Sequence, residues 1–215
     1  GFTGRILSRR LLDQGHAVHG LVRLGTDLDG LDPALVSHEL DLRSPEAIDD
    51  AVASARPDGV IHLAGIASPV HGNVDEIYAT NLVGTRHLLD ALARQTTAPQ
   101  SVILASSANV YDPALSGQIE ESAPLRPVND YGVSKLAMEH LRGVFASRLP
   151  IVVVRPFNYT GVGQSAQFVI PKIVGALRSG AVRVELGNID VSRDWSDVRF
   201  VADCYARLLE APAAV

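Results

Sequence analysis

Tyr131 and Lys135 stand four residues apart in the run Tyr131-Gly132-Val133-Ser134-Lys135. On a helix that spacing puts both side chains on one face. A free tyrosine, with a pKa of about 10, is a poor acid or base near neutrality. A nearby ammonium favours the phenolate and lowers that value. The pair can therefore deliver or accept a proton beside a hydride-transfer centre. The same spacing also arises by chance in helices. Its meaning depends on a glycine turn upstream, a serine after a buried strand, and nucleotide-type loops downstream.

The elements that must position this pair alternate. Gly1-Phe2-Thr3-Gly4 leads into a helix over Arg5 to Gln14, with Ile6, Leu7, Leu11 and Leu12 as its apolar stripe and Gly15 as its cap. Ala17 to Arg23 reads as a strand. A glycine turn, a helix and a strand form the second half of a dinucleotide-binding βαβ unit, whose first strand would lie before residue 1. Gly1 and Gly4 match the second and third glycines of such a fingerprint, where backbone and helix N-terminus meet a pyrophosphate. An ordinary glycine turn is the other reading. Arg23 sits where NAD binders usually carry an acid for the ribose diol, and NADP binders tolerate an arginine; a solvated surface arginine is the alternative.

Ser37 to Leu42 is predicted as the third strand. Ser44 and Pro45 start a helix to about Arg56. Gly59 to Leu63 is an apolar strand closed by Ala64-Gly65, small residues that let a ligand lie close. His62 fits a buried strand position better than a catalytic one. Asp75 to Arg94 reads as one long helix. Asn81 inside it costs propensity and must either face solvent or find a buried partner. Ser101 to Ser107 is a buried strand. Its Ser107 stands where open α/β sheets bind ligands, outside the carboxyl ends of strands. Residues 112–129 read as loop, and the Tyr131 helix follows. Ile151 to Val154 is a strand, Phe168 to Ser179 a helix, and Val182 to Leu186 a short strand. Gly187 to Asp197 is a polar loop, and Val198 to Ala211 is the last helix. The alternation predicts an α/β fold, a doubly wound, mainly parallel sheet of Rossmann type, with a partial C-terminal substrate lobe.

The chain of 215 residues is 47% hydrophobic, enough for a sizeable core, and its formal charge of -5 argues against a nucleic-acid-binding surface. The single cysteine, Cys204, excludes an internal disulfide and fits a cytoplasmic location. No apolar run reaches membrane-spanning length, and no metal-ligating set stands out. Gly1 lies inside a motif, so the natural N-terminus is expected further upstream.

With these pieces placed, the sequence resembles an extended short-chain dehydrogenase/reductase. The resemblance rests on the GFTG turn, the HLAG strand end, Asn81, SSANVY, YGVSK and RPFN. It implies that Ser107, Tyr131 and Lys135 form the catalytic set and that Asn81 supports Lys135. It also implies a cofactor site of Gly1, Phe2, Gly4, Arg23, Asp41, Leu42, Leu63, Ala64, Gly65, Tyr131, Lys135 and Pro156. Residues 1–160 would then be the NAD(P)-binding domain and 161–215 part of a truncated nucleotide-sugar region. RPFNYTGVGQ, QFVIP and ELGNIDVSRDW are similar to enzymes of GDP-mannose-derived sugars, both the 4,6-dehydratases and the 4-keto-6-deoxy-mannose reductases. That similarity implies substrate contacts from Ser107, Asn158, Phe168, Val169 and Arg193; a surface ion pair with Asp190 or Asp194 is the other reading of Arg193.

A dehydratase needs an extra acid after the strand-end motif, and here Ala108 and Asn109 follow Ser107. The expected activity is therefore reduction of the 4-keto group of a GDP-4-keto-6-deoxy-hexose. NADP(H) is preferred and NAD(H) possible, in a cytoplasmic homodimer joined through the helices at 73–95 and 130–148. A nucleotide-sugar 4-epimerase, a residual GDP-mannose 4,6-dehydratase and a non-catalytic NADP sensor stay open.

Overall fold

The computed structural model describes residues 1–67 and 73–211. Helix α1 (Phe2–Asp13) precedes β1 (His19–Arg23) and β2 (Val36–Leu40), which pair in parallel. Helix α2 (Pro45–Ala55) has Ser44 as its cap, Pro45 in its first turn and Arg56 in the left-handed conformation at its end. Strands β3 (Gly59–His62), β4 (Ser101–Ala105) and β5 (Ile151–Val154) form a second parallel sheet in the order β3-β4-β5.

All of β4 is buried. Its side chains alternate between the two faces, as the strand period requires. Val102 and Leu104 join the core formed with α2, α4 (Thr85–Ala93) and α5 (Asp130–Phe145). Ile103 and Ala105 join the core formed with α1 and α7 (Val198–Glu210). Helices thus cover both faces of a parallel sheet, as expected for this fold class. The near-continuous apolar runs of β4 and β5 follow from burial on both sides. Between the β1–β2 pair and the three-stranded sheet lies a cavity of about 450 Å³, lined by Leu21, Val52, Ile61 and Leu88 among others.

Three expectations change. The helix predicted over Asp75 to Arg94 runs through Val74–Ala93, but it changes register within. A short α3 (Val74–Tyr78) passes into a π-helical turn (Ala79–Gly84) before α4. The cause is local: the Thr85 hydroxyl donates to the Asn81 carbonyl at 2.7 Å, competing with the regular backbone ladder. Val182 to Leu186 is not a strand, because β-propensity without a pairing edge makes none. The edge goes elsewhere: within the predicted polar loop, β7 (Trp195–Asp197) pairs in parallel with β6 (Asn158–Thr160). Helix α6 (Val169–Arg178) lies between β6 and β7 in sequence. No helix among the described residues is long and apolar enough to cross a membrane.

Candidate active site

The site begins at the carboxyl end of β4. Ser107 is extended and caps a 3-10 turn over Ala108–Val110. Its Oγ accepts from the Asn109 backbone N–H at 3.2 Å and from Asn109 Nδ2 at 3.1 Å. Those bonds use oxygen lone pairs and leave the Ser107 O–H for another acceptor. The Ser107 hydroxyl acts on the Tyr131 phenol and pulls the tyrosine pKa down.

Helix α5 can approach this turn because residue 132 is glycine. A Cβ there would lie 2.6 Å from the Asn109 carbonyl oxygen and 2.9 Å from Pro127 Cβ, too close for any side chain. Asn129 caps the helix, accepting from the Gly132 N–H at 2.8 Å. Tyr131 and Lys135 therefore enter the buried interior side by side on one helix face.

Burial sets the electrostatics. Lys135 is 5% exposed, its Nζ donates to the Ala105 carbonyl at 2.8 Å, and desolvation lowers its pKa to about 8. Tyr131 lies above its ordinary value because burial outweighs the Ser107 bond, with Tyr159 adding a further upward push. This differs from the expectation that Lys135 lowers the tyrosine: the groups acting on Tyr131 are its burial, Ser107 and Tyr159, while the Lys135 ammonium faces a carbonyl. Tyr131 is thus protonated near neutrality, a proton donor rather than a base.

Asn81 is fully buried with a complete set of partners. Its Oδ1 accepts from the Ile66 N–H at 2.7 Å. Its Nδ2 donates to the Ile66 carbonyl at 3.1 Å and to Ser134 Oγ at 3.0 Å. It reaches the helix through Ser134 rather than through Lys135. Gly65 stands against this cluster: a Cβ would lie 2.9 Å from Asn81 Oδ1 and 3.3 Å from Lys135 Nζ. His62 is buried and bonds Thr85 Oγ1 at 2.8 Å. Burial first and the Lys135 charge second drop its pKa to about 3, so it is neutral.

The remaining predicted positions divide. Gly1 caps α1 with no side chain, and a Cβ on Gly1 or Gly4 would meet nothing within 4 Å. The first turn of α1 is therefore open. Phe2 stacks on Tyr159 with ring centroids 6.4 Å apart, and Thr3 Oγ1 meets the Tyr159 hydroxyl at 3.0 Å. That ties the glycine turn to β6. Leu63 and Ala64 follow β3 and are half-buried, and Gly65 after them is exposed. The Pro156 carbonyl accepts from the Ala108 N–H at 3.0 Å. Arg23 is exposed at the end of β1, Asp41 pairs with Arg43, and Leu42 is buried. Asn158 is exposed and donates to the Asp194 carbonyl. Arg193 is exposed and donates to the Ser192 carbonyl. Phe168 and Val169 are exposed at the start of α6. The β6–β7 register sets Asn158 opposite Trp195, two residues from Arg193.

Sequence reasoning missed Ser134, whose hydroxyl takes the Asn81 bond and donates to the Tyr131 carbonyl at 2.7 Å. It also missed Glu139 and Arg155, which form a bidentate ion pair beside the strand end. Glu139 follows Lys135 by four residues on the Tyr131 face, but that spacing does not name Arg155 as its partner. Among the described residues, no cluster of three or more potential ligands could hold a metal ion.

The model of the NAD dependent epimerase/dehydratase family matches residues 1–215. A GDP-6-deoxy-D-talose 4-dehydrogenase of Aggregatibacter actinomycetemcomitans is 34% identical over 82% of this chain and 60% of its own. A GDP-6-deoxy-D-mannose reductase of Pseudomonas aeruginosa is 37% identical over 81% of this chain and 60% of its own. The chain thus matches 60% of the length of these two curated relatives. The solved structure of RMD from Pseudomonas aeruginosa complexed with NADPH superposes with a TM-score of 0.80 at 31% identity, covering 100% of this chain and 71% of that one. The family match runs over the whole of this chain, α1 to α7: the chain belongs to the NAD dependent epimerase/dehydratase family.

Proposed function

We propose that the full-length protein reduces the 4-keto group of a GDP-4-keto-6-deoxy-hexose to a GDP-6-deoxyhexose with NAD(P)H. The observation that carries this reading is buried Ser107 acting on buried Tyr131 beside buried Lys135, with no free carboxylate at the strand end among the described residues. The residues after Ser107 are Ala108 and Asn109, and Asn109 is bonded to Ser107 itself. The carboxylate bonded at this strand end, Glu139, is paired with Arg155. Among the described residues the site thus has a proton donor for an alkoxide but no second acid for eliminating water. The two curated relatives, which act on GDP-6-deoxy sugars, support the same substrate class.

The residues present fit a nicotinamide dinucleotide. The open first turn of α1 presents unpaired N–H groups to a pyrophosphate. Gly1, Phe2 and Gly4 would hold that group, Leu63, Ala64, Gly65 and Pro156 would flank the ring, and Arg23 would favour a 2′-phosphate. The cofactor, when bound, supplies the hydride. Tyr131 delivers the proton to the carbonyl oxygen as negative charge develops there. The Ser107 O–H would turn from the Tyr131 phenol to the same oxygen as charge develops there. Lys135 holds positive charge within the buried site and would orient the ribose of the bound cofactor. Asn158 and Arg193, brought to one edge by the β6–β7 pairing, would bind the nucleotide sugar, Arg193 as a charge-assisted donor to phosphate. The exposed valines Val74, Val83, Val133 and Val144 support a homodimer through the helices that carry them.

The test is turnover. Full-length protein mixed with NADPH and GDP-4-keto-6-deoxy-mannose should consume NADPH in step with a GDP-deoxyhexose product. Bound NADPH with no consumption would overturn the reading.

A further inference from the structure

We propose that Glu139 and Arg155, joined through Ser106, are positioning residues that fix the Ser107–Tyr131 distance. This rests on the reductase reading of the same site. Glu139 follows Lys135 by one helical turn and Tyr131 by two, so all three share one face of α5. Its carboxylate is 8% exposed and accepts three bonds. Ser106 Oγ donates to Oε1 at 2.5 Å. Arg155 Nε donates to Oε1 at 2.9 Å, and Arg155 NH2 donates to Oε2 at 2.7 Å.

The other end of the guanidinium grips the opposite side of the catalytic turn. Arg155 NH1 donates to the Tyr111 hydroxyl at 3.2 Å and to the Glu121 carbonyl at 3.0 Å. The guanidinium also lies 5.1 Å from the Tyr111 ring centroid, and Tyr111 stacks on Phe157. Ser106 immediately precedes Ser107, and Tyr111 closes the turn that Ser107 opens. The clamp therefore holds the turn at both ends and anchors it to the helix that carries Tyr131. The path from Glu139 through Ser106 to Ser107, and from Tyr131 back along α5 to Glu139, is a ring that closes where Ser107 acts on the Tyr131 phenol. A bidentate arginine–carboxylate pair is the geometry that makes such a ring stiff. Glu139 and Arg155 touch neither reacting atom in this scheme; they act through Ser107.

The experiment uses full-length wild type, Ser106→Ala and Glu139→Gln. Ser106→Ala cuts the ring and leaves the ion pair, so it serves if Glu139→Gln fails to fold. Loosening a catalytic contact costs up to about 100-fold for a displacement of about 1 Å. We expect kcat to fall about 10-fold or more in Ser106→Ala, with KM for both substrates and NADPH affinity changed less than about twofold. The Ser107 bond lowers the Tyr131 pKa, so its loosening must raise it. The tyrosine limb of the kcat profile should move to higher pH. Ultraviolet titration of the Tyr131 phenol, taken against Tyr131→Phe, should move the same way. That titration needs no turnover and separates the two ideas. An upward shift in a protein that turns over no keto sugar would retain the clamp and discard the reductase. Wild-type kcat and an unmoved phenol titration in Ser106→Ala would overturn the clamp. So would losses of kcat matched in proportion by losses of folded protein and NADPH binding.

Discussion

Lys135→Met tests the electrostatics of the site through stability rather than activity. The variant keeps an unbranched chain of similar length and removes the buried charge. Desolvation lowers the lysine from 10.5 to about 8 in the folded protein. At about 1.4 kcal/mol per pKa unit, that gap means charged Lys135 costs the fold about 3 kcal/mol. Methionine removes this cost but leaves the Ala105 carbonyl without its donor, a loss of about 1–3 kcal/mol. The two effects have different pH dependences. Between about pH 8 and pH 10.5 the unfolded chain binds more protons than the folded one, so wild-type stability rises with pH through that window. The charge cost is fully present below the folded value and gone above the unfolded one. The carbonyl loss is present throughout.

The prediction is a change of sign. At about pH 7 Lys135→Met should be more stable than wild type by about 1 kcal/mol, and at about pH 11 less stable by about 1–3 kcal/mol. Urea unfolding of both full-length proteins across this range, fitted as two-state transitions, measures the difference directly. Titration of other groups cancels in the comparison. Turnover should be lost at every pH. A stability difference that stays flat with pH would refute the argument, because it would mean that the buried ammonium carries no desolvation cost.

The other predictions are briefer. Tyr131→Phe should reduce kcat by about 100-fold to 10,000-fold, the range for a positioned proton donor, with NADPH binding kept; a rate near wild type in stopped-flow assays would remove Tyr131 from its role. Gly132→Ala forces a Cβ to 2.6 Å from the Asn109 carbonyl oxygen and should destabilise by about 1–3 kcal/mol, with a loss of kcat as α5 moves off the Ser107 turn; unchanged melting would refute the close approach. His62 is held neutral by burial, with its pKa at about 3 against 6.5. As pH falls below about 6.5 the unfolded chain gains a proton that the folded one refuses, so wild type should lose about 1.36 kcal/mol per pH unit more than His62→Leu. Parallel acid-unfolding curves for the two proteins would show that His62 is not buried neutral.

What the sequence disclosed about this site follows from how far apart the partners lie. Tyr131 and Lys135 were legible because four-residue spacing on a helix is a local rule, and Ser107 because it ends a run of apolar strand residues. The helix start at Ser44-Pro45 was legible for the same reason, and its cap bond spans three residues. Asn81 was legible only as a question. Its answer, a bond to Ser134 across 53 positions and a π-helical turn locked by Thr85, depends on packing that no window of sequence contains. The β7 strand was missed because Trp195–Asp197 carries no alternating apolar pattern; it is a strand only because the β6 edge lies beside it. Val182 to Leu186 has the pattern and no such edge. The clamp shows the same principle at the site itself. Ser106, Glu139 and Arg155 each look ordinary in sequence, a second serine, a helix-surface acid and a strand-end arginine. Their meaning appears when β4, β5 and α5 meet at one end of the sheet. Chemistry-bearing residues of this site announce themselves by local spacing, and the residues that hold them in register do so only through the fold. Substitutions at Ser106, Glu139 and Arg155 therefore reach the chemistry through geometry, where those at Tyr131 remove the reacting group outright.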